Sequence, residues 1–403
     1  MYLLKEGFEH LLRYLNLRHL KEKGLSIPTE LEGHVDIAVL KRMLSYETEK
    51  TRFSFVSSAF SAAVTIIFIF GGMLGLYNSW ISSLHWSFIP EGLLFFLLLN
   101  CAGTVLSIPF ALYETFRIEN KYGFNTMTAR LWVVDSLKSL LLSSVITAIV
   151  VTAGFWIIKT SPDLWWVWVW LFFLVFSIFM MYISPYVIEP LFNRFSPIED
   201  PGLEQSIKSM MGSVNIRVSR VFRMDASKRS RHTNAYFSGI GKVKRIILYD
   251  TLLEAFDHDE VLAVLAHEAG HWKKRHVLKM IAGMELVSLI GVYISFRILG
   301  TDFLLDIFAI HEATFSAKVV LLGFIGGIVA FPFTPLGAYI SRRFEKQADR
   351  FACELSGNRD AMARALIKLS KDNLSNLYPH PLYASFYYSH PPVVERVREL
   401  KEL

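Results

Sequence analysis

The sequence predicts a predominantly α-helical, polytopic membrane protein that also carries a hydrophilic domain with a small β-sheet or hairpin. Three observations lead there: a composition too apolar for an ordinary soluble chain, six apolar blocks of bilayer length, and basic charge that alternates between the loops joining them. Of 403 residues, 53% are hydrophobic and 19% charged, and the mean hydropathy is +0.36. The formal charge of +6 and pI near 9.1 do not indicate a nucleic-acid partner, because the basic residues are spread between apolar blocks and form no single patch. A basic cytoplasmic membrane face accounts for them. Cys101 and Cys353 offer neither a disulfide framework nor a cysteine metal site, and favour a reducing compartment only weakly.

Taken in order, "MYLLKEGFEHLLRYLNLRHLKEKG" holds too many charges and too short an apolar run for a secretory signal or a full span. Phe8, Leu11, Leu12, Tyr14 and Leu15 would line one face of an amphipathic helix or helix stub within an amino-terminal cytoplasmic segment, 1–52. Four spans are expected in 53–187, at 53–77, 91–113, 137–158 and 165–187, each long enough for a bilayer that takes about 20 helical residues. A mixed segment, 188–277, has helical patterns at 201–212 and 257–275 and a strand at "RIILYD". Two further spans, 278–299 and 318–340, fill 278–340, and 341–403 closes the chain.

Loop charge orients these spans. Segment 18–52 carries Arg18, Lys21, Lys23, Lys41, Arg42, Lys50 and Arg52, whereas 78–88 has no Lys or Arg. Arg117, Lys121 and Arg130 follow the second span, 188–277 is rich in both cations, and 300–317 is acidic with Asp302, Asp306 and Glu312. The alternation places 188–277 and 341–403 together on the cytoplasmic side.

Chemistry concentrates in "VLAVLAHEAGHWKKRH", 261–276. Asp257 and Glu260 form a capping-box pattern, so a helix starts there. Four residues advance a helix by about 400°, so His267 and His271 share one face and can bind one tetrahedral metal ion. Glu268, rotated by about 100°, cannot join them as a ligand but can contact a water on that metal, the arrangement of a zinc hydrolase. A third ligand is expected in "SRRFEKQADRFACELSG": Glu345 can ligate, and Asp349, four residues on, can accept the free N–H of a ligand histidine. The bland alternatives are a chance H-E-x-x-H among twelve histidines, and a solvated face pairing Glu345 and Asp349 with Arg342, Arg343, Lys346 and Arg350.

Together with "ELEGHVD" (30–36), "IENKYGFN" (118–125), "PLFNRFSPIED" (190–200), "HTNAYFSG" (232–239) and "YSHPPVVERV" (388–397), the HEAGHW and RRFEKQAD motifs make the chain resemble the integral-membrane CaaX prenyl protease family of type I, from about residue 13 onward. The resemblance implies a zinc endopeptidase with one Zn2+ per chain, whose helices enclose an intramembrane chamber capped from the cytoplasmic side by a zincin-like domain. It assigns His267, His271 and Glu345 as zinc ligands and Glu268 as the base. It also places Asn234, with Ala235 and Tyr236, at the substrate backbone or oxyanion, His390 near the tetrahedral intermediate, and Arg396 in the same neighbourhood. On the residues alone, His390 is equally a turn histidine before two prolines, and Arg396 a surface partner of Glu395 or Glu399. Members begin with a complete first span, of which only "YLNLRHL" remains here, so six spans plus a short amphipathic piece are expected.

Substrates would be peptides or proteins, prenylated C-terminal tails among them; in an organism without prenylation, other membrane or misfolded proteins take their place. The membrane would be the plasma membrane of a prokaryote, or the endoplasmic reticulum or inner nuclear membrane of a eukaryote. Lipids surround the spans, no nucleic acid is involved, and a monomer is compatible with the motifs. "TNAYFSG" and "RIILYD" flank a Gly-containing turn; one of them would be an edge strand holding an extended peptide, with a plain structural hairpin as the alternative. If the helix from Asp257 ran on through 278–299, Glu285 would return to the face of His267 after about five turns and line a hydrated chamber; the alternative is a pair with Lys318 or Arg297. The competing readings are a heat-shock-type membrane quality-control metalloprotease, a site-2-type intramembrane protease, and a transporter or channel with a structural metal site. Trp272, Lys273, Lys274, Arg275 and His276, directly after the motif, place it at an interface and so count against burial within a span.

Overall fold

The computed structural model describes residues 1–238, 243–308 and 313–402. Its first half is helical: α1 (Tyr2–Lys23), α2 (Ile37–Phe70), α3 (Met73–Ser82), α4 (Phe88–Tyr113), α5 (Ala129–Thr160), α6 (Trp165–Ile183) and, after a π-helical turn, α7 (Glu189–Phe192). A mixed region follows, with β1 (Phe195–Pro197), α8 (Pro201–Ser213), β2 (Arg217–Met224), β3 (Ala235–Ser238), β4 (Val243–Tyr249), α9 (Asp250–Ala255) and α10 (His258–Lys273). Next come α11 (His276–Leu299), α12 (Phe303–Phe308) and α13 (Phe315–Ala330), then α14 (Thr334–Ser356), α15 (Arg359–Asp372), α16 (Pro381–Tyr387) and α17 (Val393–Glu402). Among the described residues, six helical stretches are long and apolar enough to cross a membrane: α2, α4, α5, α6 with α7, α11, and α13 continued into α14. The architecture is that of a polytopic helical membrane protein with a small mixed sheet.

One expectation about the amino-terminal region changes and another narrows. The apolar block at 53–77 is not one helix: α2 stops at Phe70, Gly72 adopts φ 81°, and α3 restarts at Met73. A positive φ is open to glycine at little steric cost, so the Gly71-Gly72 pair ends the span there. At its other end α2 begins at Ile37, where Asp36 caps it by accepting from the Val39 N–H at 2.8 Å, and so extends well beyond the apolar run. Helix α1 is no stub. Its 22 residues form a full helix, the amphipathic form of the two expected, and the Tyr2 ring lies 5.2 Å from Phe324 in α13. The packed face is Leu12, Asn16, Leu17 and Leu20, while Phe8, Leu11 and Tyr14 stay exposed. Its charges pair along the helix: Lys5 pairs with Glu9 at 2.8 Å, and Arg13 reaches Glu9 at 3.6 Å and Ser58 of α2 at 2.8 Å.

The sheet has the order β1-β2-β4-β3, with β4 parallel to β2 and antiparallel to β3. The two strands read from sequence do pair, Ala235 opposite Leu248 and Ser238 opposite Arg245, but in a four-stranded sheet in which β3 is the edge and β4 is interior. The Gly-containing turn at 239–242 and Glu312 lie outside the described residues. One core joins the sheet to α8 and α10 through Ile246, Leu248, Ile207, Met211, Val261 and Leu265. A second joins α10 to α14, α15 and α17 through Ala263, Ala266, Ala352, Leu366 and Val397. Helix α10 lies between both, so its axis is fixed from two sides.

The continuous helix from Asp257 into the following span does not exist. Lys274 ends α10, and Arg275, at φ 55° and ψ 37°, turns the chain before α11 starts at His276. The argument that placed Glu285 on the face of His267 therefore fails. Glu285 is half-buried, its carboxylate accepts from Ser288 Oγ at 3.3 Å, and its carbonyl accepts from the Trp170 indole at 3.1 Å. Lys318 pairs instead with Asp302 at 3.8 Å.

Candidate active site

The capping box forms as the sequence requires. Asp257 accepts from the Glu260 N–H at 2.8 Å, and the Glu260 carboxylate accepts from the Asp257 N–H at 3.1 Å. Glu260 also receives Lys368 of α15 at 3.0 Å, which ties the start of α10 to its neighbour. Farther along α10, Gly270 meets α14 backbone to backbone: a Cβ there would lie 2.9 Å from Ala348 Cα. A glycine in mid-helix costs about 1 kcal/mol relative to alanine, and here it permits a helix crossing that no side chain would allow. That crossing sets Glu345 and Asp349 of α14 against His267 and His271 of α10.

The resulting cluster is tight. The Nε2 atoms of His267 and His271 are 3.1 Å apart, and Glu345 lies 3.3 Å from the first through Oε2 and 3.2 Å from the second through Oε1. Donor atoms of these three residues fall within 4.8 Å of one another. Glu345 Oε2 is buried and makes no hydrogen bond among the described residues, and the Nε2 atoms of both imidazoles converge on the same point. Two nitrogens and a carboxylate oxygen around one point are a donor set suited to a divalent metal such as zinc. The residues therefore fit the metal that the motif implies.

Around the cluster, His267 Nδ1 bonds Asp349 Oδ1 at 2.8 Å, and Arg396 clamps Asp349 through Nε at 2.8 Å and a terminal nitrogen at 2.6 Å. Burial disfavours an imidazolium at His267, but the Asp349 and Glu345 carboxylates beside it outweigh that and, with no metal present, raise its pKa to about 9. Burial likewise pushes the Glu268 carboxyl above its ordinary range. Its carboxylate makes no hydrogen bond among the described residues; it stands with His267 on the wall of a cavity of about 570 Å³.

That cavity also collects Asn234, Ala235, His390 and Arg396. Asn234 immediately precedes edge strand β3; its side-chain oxygen accepts from the Ala235 N–H at 2.8 Å, and its side chain also hydrogen-bonds the Tyr249 hydroxyl. Tyr236 turns its hydroxyl away to Glu189, to which it donates at 2.6 Å. His390 is solvent-accessible, with Nε2 3.3 Å from Glu345 Oε1 and Nδ1 2.9 Å from Ser389 Oγ. Arg396 is buried on Asp349 and does not pair with Glu395 or Glu399, which both go to Lys346. Glu285 is not part of this assembly. The sequence reading missed Gly270, whose signal was a glycine inside an otherwise good helix. It also missed His276 and Gln347, whose contacts depend on the chain break at Arg275.

Comparison with known proteins gives a consistent picture. Residues 16–194 match the family model described as the CAAX prenyl protease N-terminal, five membrane helices, and residues 197–403 match that of peptidase family M48. The chain is 33% identical to the CAAX prenyl protease 1 homolog of Mus musculus over 95% of its own length and 90% of the relative's. It is 34% identical to CAAX prenyl protease 1 of Saccharomyces cerevisiae, over 98% and 92%. Its fold matches the crystal structure of S. mikatae Ste24p with a TM-score of 0.93 at 31% identity, covering 99% and 97% of the two chains.

Proposed function

The chain belongs to peptidase family M48, and on that premise we propose a zinc-dependent endopeptidase that cleaves near the C-terminus of CaaX-type substrates, prenylated tails among them, or of other membrane-associated proteins. As a member of the family it is an integral, multi-pass membrane metalloendopeptidase acting on peptides or proteins. The observation that carries the finer reading is the convergence of His267, His271 and Glu345 on one point beside Glu268, on the wall of a cavity with a free strand edge. In this reading 188–277 and 341–403 form one catalytic unit, because α10 supplies His267, Glu268 and His271 and α14 supplies Glu345, and the loop charge puts that unit on the cytoplasmic side.

Each residue then has a task. His267, His271 and Glu345 would hold one Zn2+, which supplies Lewis-acid polarisation and lowers the pKa of a coordinated water. Asp349, braced by Arg396, accepts the His267 Nδ1–H and so keeps the Nε2 lone pair toward the metal position. Glu268, burdened by no other hydrogen bond among the described residues, takes a proton from the attacking water and passes it to the departing amine; burial raises its pKa above the ordinary carboxylate value, which strengthens it as a base. The free edge of β3 can hold the substrate backbone extended. Ala235 belongs to that edge, while Tyr236 anchors β3 through Glu189. The Asn234 amide and the His390 imidazole, both on the cavity wall, would donate to the oxygen that gains charge at the scissile carbonyl.

The test is cleavage of a labelled C-terminal peptide, farnesylated and unmodified, by detergent-purified wild type and Glu268→Gln, with zinc content measured in both. The expected result is a loss of about 10²- to 10⁴-fold in kcat for the variant with its zinc retained. Faster cleavage of the farnesylated form would support CaaX specificity, and wild-type rates from Glu268→Gln would refute the assignment of the base.

A further inference from the structure

Helix α11 begins with a buried histidine that the mechanism above leaves unused. His276 is 1% exposed, and its ring stacks on Phe344 of α14 at 4.2 Å and 6°. Its two nitrogens are both engaged: Nδ1 lies 3.2 Å from His271 Nδ1, and Nε2 lies 3.0 Å from Gln347 Oε1. A leucine-sized side chain would fill the space, so a histidine bonded at both ends calls for a reason.

We infer that His276, backed by Gln347, is a positioning residue that fixes the ring orientation and tautomer of His271 and so sets how tightly the site holds its metal. The inference rests on the metal-site reading above. His271 presents Nε2 to His267 and Glu345, so its Nδ1 must find a partner on the far side. An amide oxygen only accepts, so Gln347 Oε1 requires the hydrogen of His276 to sit on Nε2. Neutral His276 then offers a bare Nδ1, and the hydrogen shared between the two rings belongs to His271 Nδ1. That leaves the Nε2 lone pair of His271 free for a metal. The opposite polarity, with the Gln347 amide flipped, would end with a hydrogen on His271 Nε2 and close the site; a bound metal therefore selects one direction for the whole chain.

The chain break gains a purpose on this account. Five residues separate His271 from His276, a spacing that places two side chains about 140° apart on a continuous helix. The left-handed Arg275 turns His276 back onto His271, and the stack on Phe344 holds it there. The two histidines of the cluster are thus oriented in different ways, His267 by a carboxylate braced with arginine and His271 by a neutral histidine and amide. A carboxylate behind both rings would add a further negative charge to a site that already contains Glu345, Asp349 and Glu268; the neutral pair supplies direction without charge.

Zinc affinity measured by chelator competition on detergent-purified protein tests this. His276→Phe keeps the ring and its stack on Phe344 but removes both nitrogens, and Gln347→Leu removes only the far acceptor. Each should weaken zinc binding by about 10- to 100-fold, and cobalt-loaded His276→Phe should show an altered visible spectrum. The apo-protein melting temperature separates the two roles: a merely structural His276 would lower it while leaving zinc affinity and the cobalt spectrum at wild-type values, which would overturn the proposal. Wild type that takes up no stoichiometric zinc would instead sink the underlying metal-site reading, whatever the variants do.

Discussion

The region around α10 and α14 and the apolar helices beside it are held together by different physics. In the former, Val261, Leu265, Ala266 and Ala352 are 0–1% exposed and enclose a hydrogen-bonded network of ionisable groups. In the latter, no more than 11% of the most apolar window of any span is buried within the protein. Lipid is as apolar as leucine, so a span gains little by packing its side chains on another span. Those helices meet in an apolar cluster around Ile69, Leu74, Ile81, Phe95 and Leu321 and in scattered polar contacts: Thr314 donates to Asn78 at 2.6 Å, Tyr77 to the Phe95 carbonyl at 2.7 Å, and Trp170 to the Glu285 carbonyl. A rigid catalytic geometry thus sits on the part of the molecule that water compacts.

The largest expected effect separates a buried ion pair from an exposed one. Arg396→Met leaves Asp349 charged and buried beneath His267, a loss of about 3–5 kcal/mol by the usual cost of breaking a buried pair from one side. Lys318→Met removes a cation 3.8 Å from an Asp302 that is itself largely exposed, and should change stability by less than about 1 kcal/mol. Melting temperatures of the two variants in the same detergent check this, and equal shifts would erase the distinction between the regions.

Glycine substitution comes next. Gly270→Ala must push α10 off the Ala348 backbone, with a cost of roughly 1–3 kcal/mol by overpacking and weaker zinc retention because His267 and His271 move with the helix. Gly283→Ala on α11 meets open space and should be neutral, or stabilising by up to about 1 kcal/mol through helix propensity. Zinc content and melting temperature, measured together, distinguish a displaced helix from a general loss of stability.

Legibility in the sequence followed the same division. Spacing alone put His267, His271, Glu345 and Asp349 on matching helical faces, because four residues per step is a local property that needs no tertiary information. The partner of Arg396 was not readable, since Asp349 lies 47 residues earlier on another helix and only a three-dimensional arrangement prefers it to the neighbouring Glu395. The break at Arg275 had no glycine or proline to announce it, and with it went the argument for Glu285. In α1, composition left an amphipathic helix and a stub both open, because the pairing of Lys5, Glu9 and Arg13 along one stripe and the contact of Arg13 with Ser58 appear only once the helix is built. The hairpin reading of β3 and β4 caught the adjacent pairing and missed the parallel one with β2, which is separated from β4 in the chain by β3 itself.

The smallest expected effect is the sharpest control, because it makes one chemical change in both regions. Val261 on α10 is 1% exposed and Val287 on α11 is 70% exposed. Val261→Ala removes two buried methyl groups at about 0.8 kcal/mol each and leaves a cavity between the sheet and α8, for a total of roughly 1.5–2.5 kcal/mol. Val287→Ala takes the same groups from a surface that touches no packed neighbour, and alanine's better helix propensity offsets what little dispersion is lost. Its shift should stay within about 0.5 kcal/mol. A loss at Val287 matching that at Val261 would mean that α11 is packed against something in its working state, and the contrast between a water-compacted catalytic region and lipid-solvated helices would have to be redrawn at that helix.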